Sequence, residues 1–413
     1  MWTFATLSVL GASVLAWGAA RRGGRRVGVA LGAILGMHAL LATGWVAAAP
    51  PEVRPLAWLF QLQTFIFVAA GLRPRMPSTA WNALVVWPAC VFIAGTWVAL
   101  PWTVAALLGL PLPAPWLPYA LAAFGLYQSV STRRDGLTLD LRAAVPPAAG
   151  PARRAPALLT RGPWPERPPC PGPRALRIVQ ISDPHLGPFM SVARLRRICA
   201  RAVAAEPDLI LLTGDLLTLA SQTEPGLLAQ ALAPLGTHPR VFAVPGNHDH
   251  ETPRLVADGL AAVGARLLVD ARVRVETPAG PVELVGVDYR WWNRRAELGP
   301  LFAGWPRERL PGDALLPRIL LLHDPGMFRF VPAGAADLTL SGHTHGGHVG
   351  LWSLGLPWTA VGLLARIPDH GPWVGPAGVL YVHRATGHYG FPLRLGVPAE
   401  ESVMHVHFST GPA

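Results

Sequence analysis

The sequence predicts a chain in two parts: a polytopic α-helical membrane region, then an α/β domain, with a linker between them. Three observations carry this reading. Long apolar runs fill residues 1–134, Pro, Ala and Arg dominate 135–174, and from residue 175 onward five apolar, β-prone runs each end in a polar cluster. The predicted boundaries are therefore 1–134, 135–174 and 175–413.

In the first part, apolar runs lie at about 2–20, 27–49 and 55–72, and residues 76–132 carry no charge. A span needs ~20 residues, so the last run holds two, with the break expected at the prolines of 111–115. Trp45, Trp58, Trp81, Trp102 and Trp116 fall near the proposed ends, as in an aromatic belt. The first run has no basic residues before it and an Arg cluster after it, which marks an anchor rather than a cleaved leader. About five helices are expected. Arg21–Arg26, Arg73–Arg75 and Arg133-Arg134 then share one side, which puts the following domain on the cytoplasmic face of a bacterial inner membrane. With four spans it would face outward. His38, Gln61 and Gln63 are the deepest polar residues in these runs, and helix–helix hydrogen bonding accounts for them.

Charge supports the division. Residues 1–134 hold nine Arg against Glu52 alone. Of 35 basic and 24 acidic residues this leaves 26 and 23, a net of only +3 out of +11. The excess lies between apolar stretches, so it reads as topology and no nucleic-acid partner is expected. The chain has no Lys, the mark of an Arg- and Ala-rich composition. Cys90, Cys170 and Cys199 form no C-x-x-C pair and imply no disulfide framework.

The composition of 135–174 suits a semi-rigid connector, within which 137–142 alternates weakly as an outer strand would. Beyond it, 191–205 is an amphipathic helix with Val192, Leu195, Ile198 and Val203 on one face, and 227–235 and 254–263 are further helices. Short strands follow at 267–273, 282–287, 318–322, 337–341, 378–383 and 402–408.

The chemistry lies where strands end. Runs 177–181, 209–213, 241–244, 318–322 and 338–341 lead into Asp183-Pro-His185, Gly214-Asp215, Gly246-Asn-His-Asp249, His323 and Gly342-His-Thr-His345. Open α/β sheets build sites beyond their strand tips, and Asp, Asn and His together suit divalent metals that accept mixed nitrogen and oxygen donors. Alone, each piece is ordinary: a Gly-Asp turn, a capping Asn, a buried His. Five in this order are not.

The set resembles the calcineurin-like metallophosphoesterase superfamily, with its D-x-H, G-D, G-N-H-D, H and G-H-x-H blocks, over residues 176–408. The string from Gly342 to Gly347 and the tail Gly390-Phe-Pro-Leu-Arg-Leu resemble its membrane-associated bacterial branch. That branch includes a cell-wall-associated phosphoesterase and a UDP-2,3-diacylglucosamine pyrophosphatase. The resemblance implies an α/β/β/α sandwich, two stacked β-sheets flanked by helices. It also implies two divalent metal ions (Mn, Fe, Zn or Mg). Asp183, His185 and His345 would hold one, Asn247, His323 and His343 the other, and Asp215 would bridge them. His248 would bind a phosphoryl oxygen or protonate the leaving group, with Asp249 orienting it.

His348 stands where the family often has Gln, His250 has a surface reading, and the loop 383–388 borders the site on its Gly content. Arg290, Trp291 and Trp292 are the candidates for substrate selection. The expected activity is metal-dependent hydrolysis of a phosphodiester or pyrophosphate bond in a lipid-linked substrate, with membrane lipid as a further partner. One alternative is a tethered phosphodiesterase or phosphatase of soluble nucleotides. The other is a membrane sensor or transporter with a regulatory phosphoesterase-like domain, which the absence of intramembrane charge disfavours.

Overall fold

The computed structural model describes residues 2–110, 113–164 and 175–408. Cys170 and the end of the expected linker lie outside the described residues, as do two of the residues at the predicted break near 111–115. Contacts divide the chain into two compact units. One is Met1–Ser129 with the segments Leu219–Thr223 and Tyr389–Leu395; the other is Val130–Thr218, Glu224–His388 and Gly396–Ala413.

Among the described residues of the first unit, four helices are long and apolar enough to cross a membrane: Trp2–Gly23, Arg25–Ala47, Pro51–Gly71 and Thr79–Val98. The expected fifth corresponds to Leu117–Val130, whose 14 residues reach only ~21 Å against a ~30 Å hydrocarbon layer. Proline divides the uncharged run. Pro101 opens a separate helix, Leu100–Leu107. Pro88 has no N–H to give the carbonyl of Leu84 four residues back, and the chain widens into a π-turn at Asn82–Val86. The Gln63 side chain donates to the Leu84 carbonyl instead, at 2.7 Å, which explains a polar residue at that depth. His38 and Gln61 are buried, with the His38 ring edge-on to Phe92 at 5.4 Å.

The second unit is an α/β/β/α sandwich. Its strands are β1 (Thr132–Asp140), β2 (Arg153–Arg154), β3 (Leu159–Pro163), β4 (Ala175–Ile181), β5 (Leu209–Leu212), β6 (Val241–Ala243) and β7 (Arg266–Leu267). They continue as β8 (Ala271–Thr277), β9 (Gly280–Val287), β10 (Arg318–Leu322), β11 (Leu338–Ser341), β12 (Gly371–Gly375), β13 (Gly378–Val382) and β14 (Ala399–His407). One sheet runs β3-β1-β14-β4-β5-β6-β7 and the other β2-β12-β13-β11-β10-β9-β8.

Side chains alternate across each strand, so one set of leucines fills the space between the sheets and the next faces a helix layer. Leu209, Leu211, Ile319, Leu321, Leu338 and Leu340 lie in the shared core. Leu320 and Leu322 pack outward with Leu298 and Phe302 of helix Arg294–Ala303. On the other side, helix Val192–Ala204 buries Leu195 and Ile198. Parallel pairing of β4 with β5 and of β5 with β6 sets Ile181 against Leu212 and Leu212 against Ala243, so these strands end level. The parallel pair β10 and β11 does the same for the other sheet.

The described part of 135–174 is not a free connector. It contributes β1, which pairs with β14 along nine positions, and the short strands β2 and β3. Leu137, Leu139 and Leu141 bury one face of β1 and its extension in the core, while the prolines and arginines fall in turns and at sheet edges, where a missing ladder bond costs nothing. Asp135 is buried and accepts from Arg133 at 2.9 Å, Arg161 at 3.3 Å and Arg384 at 3.1 Å, which fixes this segment to the loop after β13. Leu139→Ala is expected to lower stability by about 2–5 kcal/mol, and Val145→Ala, at a residue 86% exposed, to leave it unchanged. Thermal unfolding of the two purified variants checks this.

Candidate metal centre

The side chains singled out above meet beyond the tips of β4, β5, β10 and β11, with Asn247 and His248 from the loop after β6. Their backbones are unusual. Asp183, His185, Asp215, His343 and His345 all have φ between 47° and 67°, the left-handed region that costs an ordinary residue about 1 kcal/mol or more. That conformation turns each side chain back over the sheet edge. Two glycines make the crowding possible. Gly214 takes φ 89°, and a Cβ there would lie 2.5 Å from the nitrogen of Gly246; a Cβ at Gly342 would overlap Ser182 and Asp183.

The donors form two groups that share a carboxylate. In the first, His185 Nε2 is 3.2 Å from His345 Nε2, and His345 Nε2 is 3.6 Å from Asp183 Oδ1. In the second, His323 Nε2 is 3.3 Å from Asn247 Oδ1 and 3.2 Å from His343 Nδ1. Asp215 Oδ2 lies 3.4 Å from His185 Nε2 and 3.4 Å from His323 Nε2. Ligands bound at about 2.0–2.1 Å around a tetrahedral metal stand about 3.3–3.4 Å apart, so the spacing fits a cation in each group. Only one of the two His323 nitrogens is spoken for outside the cluster. A carbonyl only accepts, so Nδ1 carries the proton donated to Thr213 O at 2.7 Å, and Nε2 is turned to the cluster in the tautomer a metal needs.

Electrostatics agree with a site built for cations. Burial opposes ionisation of Asp215, yet His323 and His185 hold its carboxyl well below the usual range. Burial pushes Asp183 up to about 7, helped by the charge of Asp215. Burial lowers His185 and His343 to about 4. His323 would be lowered by burial too, but Asp215 beside it raises it to about 10. The protein's own protonated His323 thus neutralises Asp215 where a metal would.

Asp249 does not orient His248. Its carboxylate accepts the backbone N–H of Asp215 at 2.8 Å, Leu216 at 2.9 Å and Gly246 at 2.8 Å, locking the β5 loop to the β6 loop. A buried carboxylate collects backbone donors when they crowd it, and it is pushed up to about 6 by burial and by Asp215. The partner of His248 is Glu251, whose Oε1 is 2.8 Å from Nδ1. The i to i+3 spacing of the short helical turn Asp249–Glu251 was the available signal. The His248 ring lies 5.5 Å from that of His185, at the mouth of the site.

Arg290 is held by Asp270 and Glu297, both at 2.6 Å, so it shapes the loop and is not open to a ligand. Trp291 and Trp292 are 55% and 81% exposed and line an open cavity of about 650 Å³ with Arg294, Arg295 and Arg329. Tyr289, which opens the segment 289–295 read as a candidate for substrate selection, joins this loop to the metal groups: its ring is 4.9 Å from Trp291, 6.1 Å from His323 and 6.0 Å from His343. A third grouping brings ring nitrogens of His345, His348 and His388 within 4.8 Å of one another. His348 has φ 57° and ψ −58°, with Val349 N bonded to Gly347 O at 2.7 Å, a strained γ-turn. His250 pairs with Asp288 at 2.9 Å.

A sheet-tip cluster of this composition on an α/β/β/α sandwich defines a metallophosphoesterase-type site. The calcineurin-like phosphoesterase family model matches residues 176–347. Phosphodiesterase YaeI of Escherichia coli (strain K12) is 30% identical over 189 residues, 45% of this chain and 66% of that protein. A transmembrane protein with a metallophosphoesterase domain from Danio rerio is 28% identical over 54% of this chain and 52% of its own. A metallophosphoesterase of Aquifex aeolicus (strain VF5) is 30% identical over 56% of this chain and 85% of its own. The chain belongs to the calcineurin-like phosphoesterase family. It spans about half to two thirds of the length of the first two relatives.

Asp215→Asn is expected to lower bound metal at both positions, and His345→Ala or His323→Ala at one; elemental analysis of the purified proteins reads this directly. Glu251→Gln is expected to lower kcat while leaving metal content unchanged.

Proposed function

We propose that this protein is a membrane-anchored phosphoesterase that uses two divalent metals to hydrolyse a phosphodiester or pyrophosphate bond in a lipid-linked substrate. The observation that carries the reading is Asp215 Oδ2, equidistant at 3.4 Å from His185 and His323. The names of the relatives, a phosphodiesterase and a transmembrane protein with a metallophosphoesterase domain, support it.

Asp183, His185, His345 and Asp215 would hold one cation, and Asn247, His323, His343 and Asp215 the other. Two such cations supply a hydroxide-like nucleophile and neutralise phosphoryl oxygens. Four of the six unshared ligands are neutral histidines and one a neutral amide, so the site keeps a net positive field for an anionic ester. His248, with Nδ1 held by Glu251, exchanges its proton through Nε2 and meets the phosphoryl or leaving oxygen, a role worth about 10²–10⁴ in rate. Asp249 keeps Asp215 in register by holding three backbone N–H groups. Trp291 and Trp292 offer exposed apolar surface beside the site, suited to an acyl chain or a base. Mn, Fe, Zn and Mg all accept this donor set. UDP-2,3-diacylglucosamine is one substrate of the proposed class.

For topology we propose Leu117–Val130 as a crossing element in a locally thinned bilayer, as a short apolar helix requires, because Arg133-Arg134 follow it and would join the other Arg loops on the cytoplasmic side of a bacterial inner membrane. A reporter fused after Ala413 and active only in the periplasm would overturn that placement.

The substrate test is ³¹P NMR of membrane lipid and UDP-sugar extracts incubated with the detergent-purified protein and Mn²⁺, beside Asp215→Asn. Conversion of a diester or pyrophosphate resonance to a monoester by the native protein alone is the expected result. Cleavage of soluble nucleotides with no lipid signal moved would replace the lipid-linked substrate with a nucleotide. Trp292→Ala is expected to reduce kcat/KM on the lipid-linked substrate about 10-fold or more and to leave a small soluble diester unaffected.

A further inference from the structure

Away from the metal groups, the second unit carries a cavity of about 460 Å³ whose walls include Arg133, Arg154, Arg161, His370 and Trp352. No carboxylate among the described residues lines it. Asp135 is buried and shared by Arg133, Arg161 and Arg384, and Asp369, also buried, pairs with Arg154. The guanidinium carbons of Arg133 and Arg161 stand 5.1 and 5.4 Å from the Trp352 ring. Arg384 lies nearer the same ring, at 4.0 Å, and pairs with buried Glu400 at 3.4 Å as well as with Asp135; two buried carboxylates against three arginines leave positive charge facing the cavity. The side chains keep access to solvent, Arg133 at 53% and Arg154 and Arg161 at 26%.

The chain beside this cavity is apolar and exposed. Leu354 is 75% exposed, Trp358 55%, Leu363 64% and Leu364 85%, within eleven residues. Isolated exposed leucines are ordinary, but a clustered set beside a cationic cavity marks an interaction surface. In the sequence, Arg133 follows the apolar helix Leu117–Val130 by three residues.

We propose that this cavity binds the phosphate of an anionic phospholipid, with the 354–364 segment resting in the membrane interface. Arginine forks suit phosphate oxygens, and basic residues next to a membrane are drawn to anionic headgroups. Leucine and tryptophan at the rim take the acyl side of the same lipid. A soluble phosphate would use the arginines and leave the exposed leucines without a role, so the lipid is the occupant the surface fits.

The test uses the full chain in neutral detergent. It is titrated with phosphatidylglycerol, with phosphatidylcholine and with inorganic phosphate, and bound lipid is counted by native mass spectrometry. The native protein is expected to retain phosphatidylglycerol in preference to phosphatidylcholine. Arg133→Gln/Arg161→Gln should weaken that retention about 30-fold, the effect of two surface charges, and Arg134→Gln should not. Leu354→Asp/Leu364→Asp, at exposed positions that leave the fold intact, should weaken it as well, which keeps the test valid if the arginine pair is needed for folding. Equal retention of the two lipids by the native protein would overturn the proposal. So would unchanged retention in a folded arginine variant or in the Leu354→Asp/Leu364→Asp variant. Displacement of phosphatidylglycerol by inorganic phosphate at equal concentration would assign the cavity to a soluble anion instead.

Discussion

Everything in the catalytic unit is arranged around one carboxylate placed where two groups of ligands meet. Asp215 follows Gly214 at the end of β5, takes a left-handed backbone and is buried. A buried carboxylate in that position needs positive charge beside it. Without metal, His323 supplies that charge by holding its proton; the two proposed cations would supply it in its place. The surrounding order follows. The level ends of the parallel strands bring the loops to one edge, and Asp249 ties the β5 loop to the β6 loop through three backbone N–H groups. The Thr213 carbonyl fixes the tautomer of His323.

The strands and their terminal ligands were legible because burial on both sheet faces writes continuous apolar runs, and because Gly-Asp, Asn-His and His-Thr-His interrupt them sharply. The sandwich itself rested on resemblance, since periodicity does not say which sheet a strand joins. The first strand was only weakly legible, for a physical reason. The chain from 135 to 164 is dominated by Pro and Arg in its turns and edges, and only the alternation of Leu137, Leu139 and Leu141 reports its buried face.

In the site, residue types were legible but contacts were not. Asp249 adjoins His248 in sequence, yet the 3₁₀ turn that follows directs its carboxylate at backbone amides, and Glu251 reaches the imidazole. Arg290 looked like a phosphate ligand until Asp270, twenty residues away in sequence, closed on it. Tyr289 carried no motif; its role comes from ring packing against His323 and His343. The apolar half shows the same limit. Hydropathy finds the long helices, whereas the proline breaks, and the exchange by which Gln63 replaces the missing donor of Pro88, belong to three dimensions.

The candidate metal centre and the arginine cavity share one residue. Asp369, paired with Arg154 of the arginine cavity, accepts the Thr344 hydroxyl on its backbone oxygen at 2.7 Å, and Thr344 sits between His343 and His345. The loop that would hold both metals is therefore braced from the same wall that faces the proposed lipid.

The bridging role of Asp215 is tested most directly by electron paramagnetic resonance of the protein loaded with two equivalents of Mn²⁺. A shared carboxylate predicts the exchange-coupled signal of a manganese pair, replaced in Asp215→Asn by the spectrum of isolated ions. Isolated-ion spectra from the native protein at full loading would contradict the account.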